Sequence, residues 1–319
     1  MDEFAIIADI FAPLAIGGGA FGLKDDAAVI AARPGFDLVV TTDQIAEGTD
    51  FFAFDPAPGI AQKALRVNLS DLAAKGAVPE YYLLTLALPS SMTSAWLKEF
   101  AGGLASDQKR FGISLLGGDT GRTEGPLAIS VTAFGFVPQG KILRRSGARV
   151  DDGVYVTGRI GDSGGGLAIF KREKHTLDEI QRDYLTGRYR LPDPPVAFGA
   201  HLRELASAAL DISDGLIADL WHIAQNSGVR IEVDAGNIPR SAALRAFWGD
   251  EIQAITRAAT AGDDYQIAFT ADPAREAAIQ KAAGDIAITR IGTVMAGQGV
   301  ELRHHGQAVA VPRTGYRHF

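Results

Sequence analysis

An eleven-residue run, LAISVTAFGFV at 127–137, contains no charged residue and reads as a long strand. Three shorter runs share its character: FDLVVTTD (36–43), YYLLTLAL (81–88), which Pro89 stops, and ISLLGGD (113–119). Helical patterns occupy 57–77 and 94–111 between them. The polar, turn-rich RRSGARVDDG (144–153) then breaks the chain, which places a domain boundary between 146 and 147. The second half opens with strand VYVTG (154–158), a GDSGGG loop and a helix from Leu167. Helices are expected over 195–208 and 215–227, and strands at 229–234, 265–270 and 287–294. Neither half repeats the strand–helix–strand unit of a doubly wound sheet. The pattern predicts an α+β fold of two domains, 1–146 and 147–319. A length of 319 residues agrees, because single cores stop growing at about 250–300 residues.

Composition narrows the function. A net charge of −7 argues against a nucleic-acid partner held through phosphate contacts. It leaves room for a small phosphorylated substrate whose charge is met by metal ions. The absence of cysteine excludes disulfides, thiolate metal sites and cysteine nucleophiles. The opening MDEFAIIADIFAPLAIGGG is acidic where a signal peptide would be basic, and reads as an amphipathic helix followed by a mobile glycine loop. No run approaches the ~20 apolar residues that span a bilayer, so the cytoplasm is the expected location.

Isolated aspartates recur at element ends. Asp43 and Asp119 end apolar strands, Asp26 precedes an AAVI strand, and Asp211 and Asp214 flank Ser213 in DISDGL. Asp71 sits between Leu69 and Leu72 on a helix that otherwise suits burial. Two readings stay open. Each carboxylate can be a helix cap or Asx-turn. As a set, gathered carboxylates repel one another unless cations lie between them, and Mg²⁺ commonly bridges carboxylates to substrate phosphates. Thr41 and Thr42 add oxygens beside Asp43. GDSGGG (161–166) offers backbone N–H groups to a phosphate but lacks the Gly-Lys-Ser/Thr ending of a P-loop, so it also reads as a plain turn. The GGD glycines at 117–118 would let a ligand approach the backbone. Arg145 is either part of a solvated turn or a clamp on nucleotide phosphate. The six histidines fall outside these motifs and read as surface or core residues.

In order along the chain, DDAAV, TTDQIAEGTDF, KALRVNLSDLAAKGAVP, GGDT, GFVPQGKILRRSGA, VYVTGRIGDSGGGLAI, ALDISDGL and GYRHF resemble the thiamine-monophosphate kinase family. NLSDLAA together with TTD marks the wider superfamily of aminoimidazole ribonucleotide synthetase and selenophosphate synthetase. The latter usually relies on a reactive Cys or selenocysteine, and this chain has no cysteine. The resemblance implies transfer of the ATP γ-phosphoryl to thiamine monophosphate. It implies a homodimer whose N-terminal domains build a shared β-barrel. Mg²⁺ ligands would be Asp26, Thr41, Thr42, Asp43, Asp71, Asp119, Asp211 and Asp214, with Asp43, Asp71 and Asp119 acting in catalysis through the metal. ATP would meet Gly118, Asp119, Arg145 and Ser213, and thiamine phosphate would meet Asp50, Asp263 and Tyr316. Asp50 stands where the family usually has His, Asp263 where it usually has Glu, and Lys24 where Gly is frequent. A superfamily relative of different substrate, or a homologue that binds ATP without turnover, is the alternative.

Overall fold

The computed structural model describes residues 3–311 and 315–316; the last three residues of GYRHF lie outside them. The chain divides into two compact units, Met1–Leu72 with Ala77–Ile142, and Ala73–Gly76 with Leu143–Phe319. Both mix helices and strands, the α+β class expected from the pattern.

In chain order the first unit holds α1 (Glu3–Ile6), β1 (Phe36–Ala46), α2 (Ala57–Ala74), β2 (Val78–Pro89), α3 (Ser94–Phe111), β3 (Ser114–Thr123) and β4 (Ala128–Pro138). Its sheet runs β1-β4-β2-β3, with β2 and β3 parallel and the other pairs antiparallel. Strand alternation sorts side chains onto two faces. Tyr82, Leu84 and Leu86 are buried on the face covered by α2 and α3. The Tyr82 hydroxyl there receives a bond from Gln108 Nε2 of α3 (3.1 Å). A bidentate pair joins the two helices: Arg66 Nε and Nη2 donate to Asp107 at 2.6 and 2.8 Å, both residues being buried. On the other face Tyr81, Leu83 and Leu116 pack with Ala15, Ala20 and Ile30 from the N-terminal segment. That cover stops short of β1, where Phe36, Leu38 and Val40 remain exposed.

Two expectations change here. The N-terminal amphipathic helix is broken: after α1 the backbone passes through a π turn (Ile7–Phe11) and a 3-10 turn (Ala12–Leu14), where Pro13 cannot supply an N–H. The AAVI segment after Asp26 is not a strand but an irregular run, tied by Val29 N–H to Gly19 O (2.9 Å).

The second unit contains β5 (Gly153–Thr157), α4 (Asp162–Phe170), α5 (Glu179–Arg190), α6 (Val196–Leu202), β6 (Ala208–Ile212), α7 (Leu216–Ser227), β7 (Arg230–Asp234), α8 (Ala242–Trp248), α9 (Ile252–Ala259), β8 (Gln266–Ala271), α10 (Glu276–Ala283), β9 (Ile288–Met295), β10 (Gly299–His304) and β11 (Gln307–Val309). The sheet order is β11-β10-β7-β9-β5-β8-β6. All of β5 is buried. Val154 and Val156 join a core with Leu216, Leu220 and Ile223 of α7, while Tyr155 joins one with Phe198 and Phe269. A strand buried on both faces reads as a continuous apolar run, as VYVTG does. Among the described residues no helix is long and apolar enough to cross a membrane.

Candidate active site

In the first unit the carboxylates fall into two groups. On the helix-covered face of β1, the Thr41 hydroxyl donates to Asp71 Oδ2 of α2. Asp43, two residues along the same face, has its carboxyl pushed from 3.8 up to about 6, first by burial and then by the negative charges of Asp71 and Asp50. Asp50 closes the turn after β1: its Oδ2 accepts from Ala46 N–H (2.7 Å), and Lys63 Nζ donates to its carbonyl (2.7 Å). Asp71 thus has its place on an apolar helix because one helical position faces the polar Thr41–Asp43 stretch of β1.

Asp119 belongs elsewhere. Register links Asp43 through Val131 and Leu84 to Gly118, and Gln44 through Ser130 and Thr85 to Asp119. Asp119 therefore sits on the opposite edge strand and the opposite face from Asp43. Three strand spacings of about 4.8 Å put the two backbones roughly 14 Å apart. Asp119 shares a cavity of about 490 Å³ with Asp25, Asp26 and Thr85. Thr42 also points to that face, where its hydroxyl donates to Val131 O (3.1 Å) and lies 3.0 Å from the Thr132 hydroxyl. Gly118 is required by the neighbouring strand: a Cβ there would lie 1.8 Å from Leu84 O.

The second unit gathers its site residues on the loop between β6 and α7. Asp211 lies in β6, and Ser213 and Asp214 follow. The buried Asp219 of α7 accepts the N–H groups of Ser213, Asp214 and Gly215, each at 3.1 Å, through one oxygen. Asp263 N–H donates to Ser213 O (2.8 Å) and Tyr316 N–H to Asp214 O (2.9 Å), so the residues expected to meet substrate dock on the loop expected to meet nucleotide. The Tyr265 hydroxyl donates to Asp263 Oδ1 (3.2 Å). Arg145 and Asp214 both lie within electrostatic reach of His222, whose pKa is lowered by burial and by Arg145 and raised by Asp214. The histidines were set aside from sequence; this one borders the site, one helical turn beyond Ala218, which no motif reveals.

GDSGGG is closed by protein. The buried carboxylate of Asp264 accepts from Gly161 N–H (2.6 Å) and Ser163 N–H (3.4 Å) at the start of α4. Asp162 accepts from the Tyr184 and Ser241 hydroxyls (2.7 and 2.6 Å). The plain-turn reading describes this segment. No motif marks Asp219, an acid in the first turn of α7, or Asp264, the neighbour of Asp263.

Among the described residues no three acidic or histidine side chains converge tightly enough to hold a metal by themselves. Mg²⁺ asks for less, since it is usually held by one or two carboxylates together with substrate phosphates and water. Asp43 and Asp71 fit that demand, and burial together with the charges of Asp71 and Asp50, which raise the Asp43 pKa, is what a cation there would offset.

Over residues 24–137 the chain matches the AIR synthase related protein N-terminal domain, and over 149–305 the corresponding C-terminal domain. Fold and sequence therefore define a two-domain protein of the AIR synthase-related class. The thiamine-monophosphate kinase of Caulobacter vibrioides is 41% identical over 322 aligned positions, covering 99% of this chain and 90% of the relative. That of Escherichia coli K12 is 39% identical over 302, covering 93% and 91%. The crystal structure of thiamine-monophosphate kinase from Stenotrophomonas maltophilia K279a superposes with a TM-score of 0.86 at 40% identity, covering 97% of this chain and 98% of that one. AaThiL complexed with AMPPCP and TMP does so with a TM-score of 0.80 at 31% identity, covering 94% and 97%. Escherichia coli HypE, at 19% identity and a TM-score of 0.77, shares the fold alone. The chain belongs to the thiamine-monophosphate kinase family.

Proposed function

We propose that this protein phosphorylates thiamine monophosphate with ATP, forming thiamine diphosphate and ADP. The near-full-length relation to thiamine-monophosphate kinases carries the reading, and the neighbour bound to AMPPCP and TMP supports both substrates. An oxygen of the acceptor phosphate attacks the γ-phosphorus in line, and the bond from that phosphorus to the β–γ bridging oxygen breaks. The acceptor oxygen is already largely anionic near neutral pH, so no general base is needed. The obstacle is repulsion between two phosphate anions. Mg²⁺, when bound, supplies the positive charge that offsets it. Asp43 and Asp71 would hold the metal, with Asp26, Thr41, Thr42, Asp119, Asp211 and Asp214 as its further ligands. Gly118, Asp119, Arg145 and Ser213 would hold the nucleotide, and Asp50, Asp263 and Tyr316 the thiamine phosphate. Residues 1–146 would carry dimerisation and most ATP and metal contacts, and residues 147–319 the rest of the site.

Within one copy Asp119 shares its cavity with Asp25 and Asp26 and stands apart from Asp43 and Asp71. A homodimer would bring a second Asp43–Asp71 pair to it. The edge strands β1 and β3 and the exposed Phe36, Leu38 and Val40 are what a second sheet would cover to complete an eight-stranded barrel, since bare edges and apolar faces invite pairing. A cytoplasmic location suits such an enzyme. Incubation of the purified protein with ATP, Mg²⁺ and thiamine monophosphate should yield equal amounts of ADP and thiamine diphosphate. ADP release without thiamine diphosphate would overturn the proposal.

A further inference from the structure

We propose that Asp219, which no motif assigns, is a positioning residue that sets the nucleotide-side and acceptor-side groups of the second unit together, through one loop. The inference rests on the substrate assignments above. Loop 212–215 is bonded along both edges of its backbone. Its N–H groups at Ser213, Asp214 and Gly215 all converge on Asp219 Oδ2 at 3.1 Å. Its carbonyls receive N–H bonds from the segments that carry the acceptor residues. Ile212 O accepts from Tyr265 (2.8 Å), Ser213 O from Asp263 (2.8 Å) and Asp214 O from Tyr316 (2.9 Å).

The packing leaves little slack. A Cβ on Gly262 would lie 2.6 Å from Ser213 O, and one on Gly315 would lie 2.6 Å from Asp214 O. Asp263 and Tyr265 both hold positive φ, +68° and +50°, a conformation kept only where the surroundings impose it. Three N–H groups converging on one oxygen are held more strongly by a carboxylate than by a neutral carbonyl. Asparagine offers a neutral carbonyl oxygen there, with an amide group that accepts nothing. The anchor that curls the loop is weakened, and the peptide planes of residues 212–214 are freer to turn. Their carbonyls turn with them, and Asp263 and Tyr316 lose their docking points. A residue that touches no substrate would thereby govern the affinity for both.

Hydrogen exchange on the ligand-free protein tests this without reference to turnover. In Asp219→Asn the amides of 213–215 should exchange faster, and those of Asp263, Tyr265 and Tyr316 should follow. In the wild type all should be protected. Steady-state assays of Asp219→Asn should show KM rising for ATP and for thiamine monophosphate alike, by about tenfold or more. Gly315→Ala presses on the same loop from its other side and should also raise KM for ATP, although Gly315 adjoins an acceptor residue. It decides the matter if Asp219→Asn does not fold. Loss of protection confined to 213–215, or a rise in one KM alone, would overturn the proposal. A wild type that makes no thiamine diphosphate would instead remove the substrate assignments and leave the exchange result standing.

Discussion

Asp43 is the residue whose electrostatics say most. A carboxyl held near pKa 6 in the folded chain and 3.8 otherwise binds its proton more tightly when folded. Folding therefore gains from acidification between those values and carries a constant cost above about pH 6. At 1.36 kcal/mol per unit the cost at neutral pH is at most about 3 kcal/mol. With the metal chelated, thermal melts from pH 7.5 to 5 should show the wild type gaining on Asp43→Asn as pH falls. Added Mg²⁺ at pH 7.5 should raise the wild-type melting temperature more than that of the variant. Asp71 has a different constraint, because the Thr41 hydroxyl orients it. Asp71→Asn should fold normally and lose at least about 10² in kcat, since a neutral amide would hold the proposed Mg²⁺, and with it the positive charge facing the phosphates, less well. Thr41→Val should lose about 10–100-fold while its circular dichroism stays unchanged, the usual effect of removing a partner that orients a ligand.

Elements were legible where their patterns were local. The limits read for α3 coincide with those observed, Ser94–Phe111, because a Thr93 cap and the glycine at 112 punctuate it. The apolar runs mark β1, β2 and β4; β1 and β2 extend a few residues beyond them, and β4 is shifted by one. The sequence does not reveal β10 and β11, since GVELRH and QAV carry no strong apolar run, and β10 depends on β7 for pairing and β11 on β10. The Arg66–Asp107 pair was also invisible: 41 residues separate partners that only packing of α2 on α3 brings together. Arg66→Met strands a buried carboxylate and should cost about 3–5 kcal/mol in urea denaturation. Gly118→Ala forces β2 and β3 apart at Leu84 and should cost about 1–3 kcal/mol in the same measurement.

For the whole molecule, the exposed strip along β1 is the feature a single copy leaves unresolved. Leu38 and Val40 are 44% and 52% exposed on a strand that is also a sheet edge. Replacing both with aspartate should give a monomer by light scattering, with activity falling in step with dimer content. A monomer of full activity would refute the shared barrel.

The motifs determined the family, the two α+β units and the short list of acidic residues, because element periods and residue chemistry are written locally. Only the tertiary structure decided which of those acids meet. Packing of α2 on β1 puts Asp71 beside Asp43, and strand register sends Asp119 to the far edge and the other face. The fold also aimed Asp264 into the glycine-rich turn from 103 residues away, whereas Asp219 reaches the DISDG loop locally, from the first turn of the helix that follows it. The Asp43–Asp119 separation depends on how distant strands align, where a shift of one residue would turn each side chain to the other face, and the Asp43–Asp71 meeting on a helix packing against a strand.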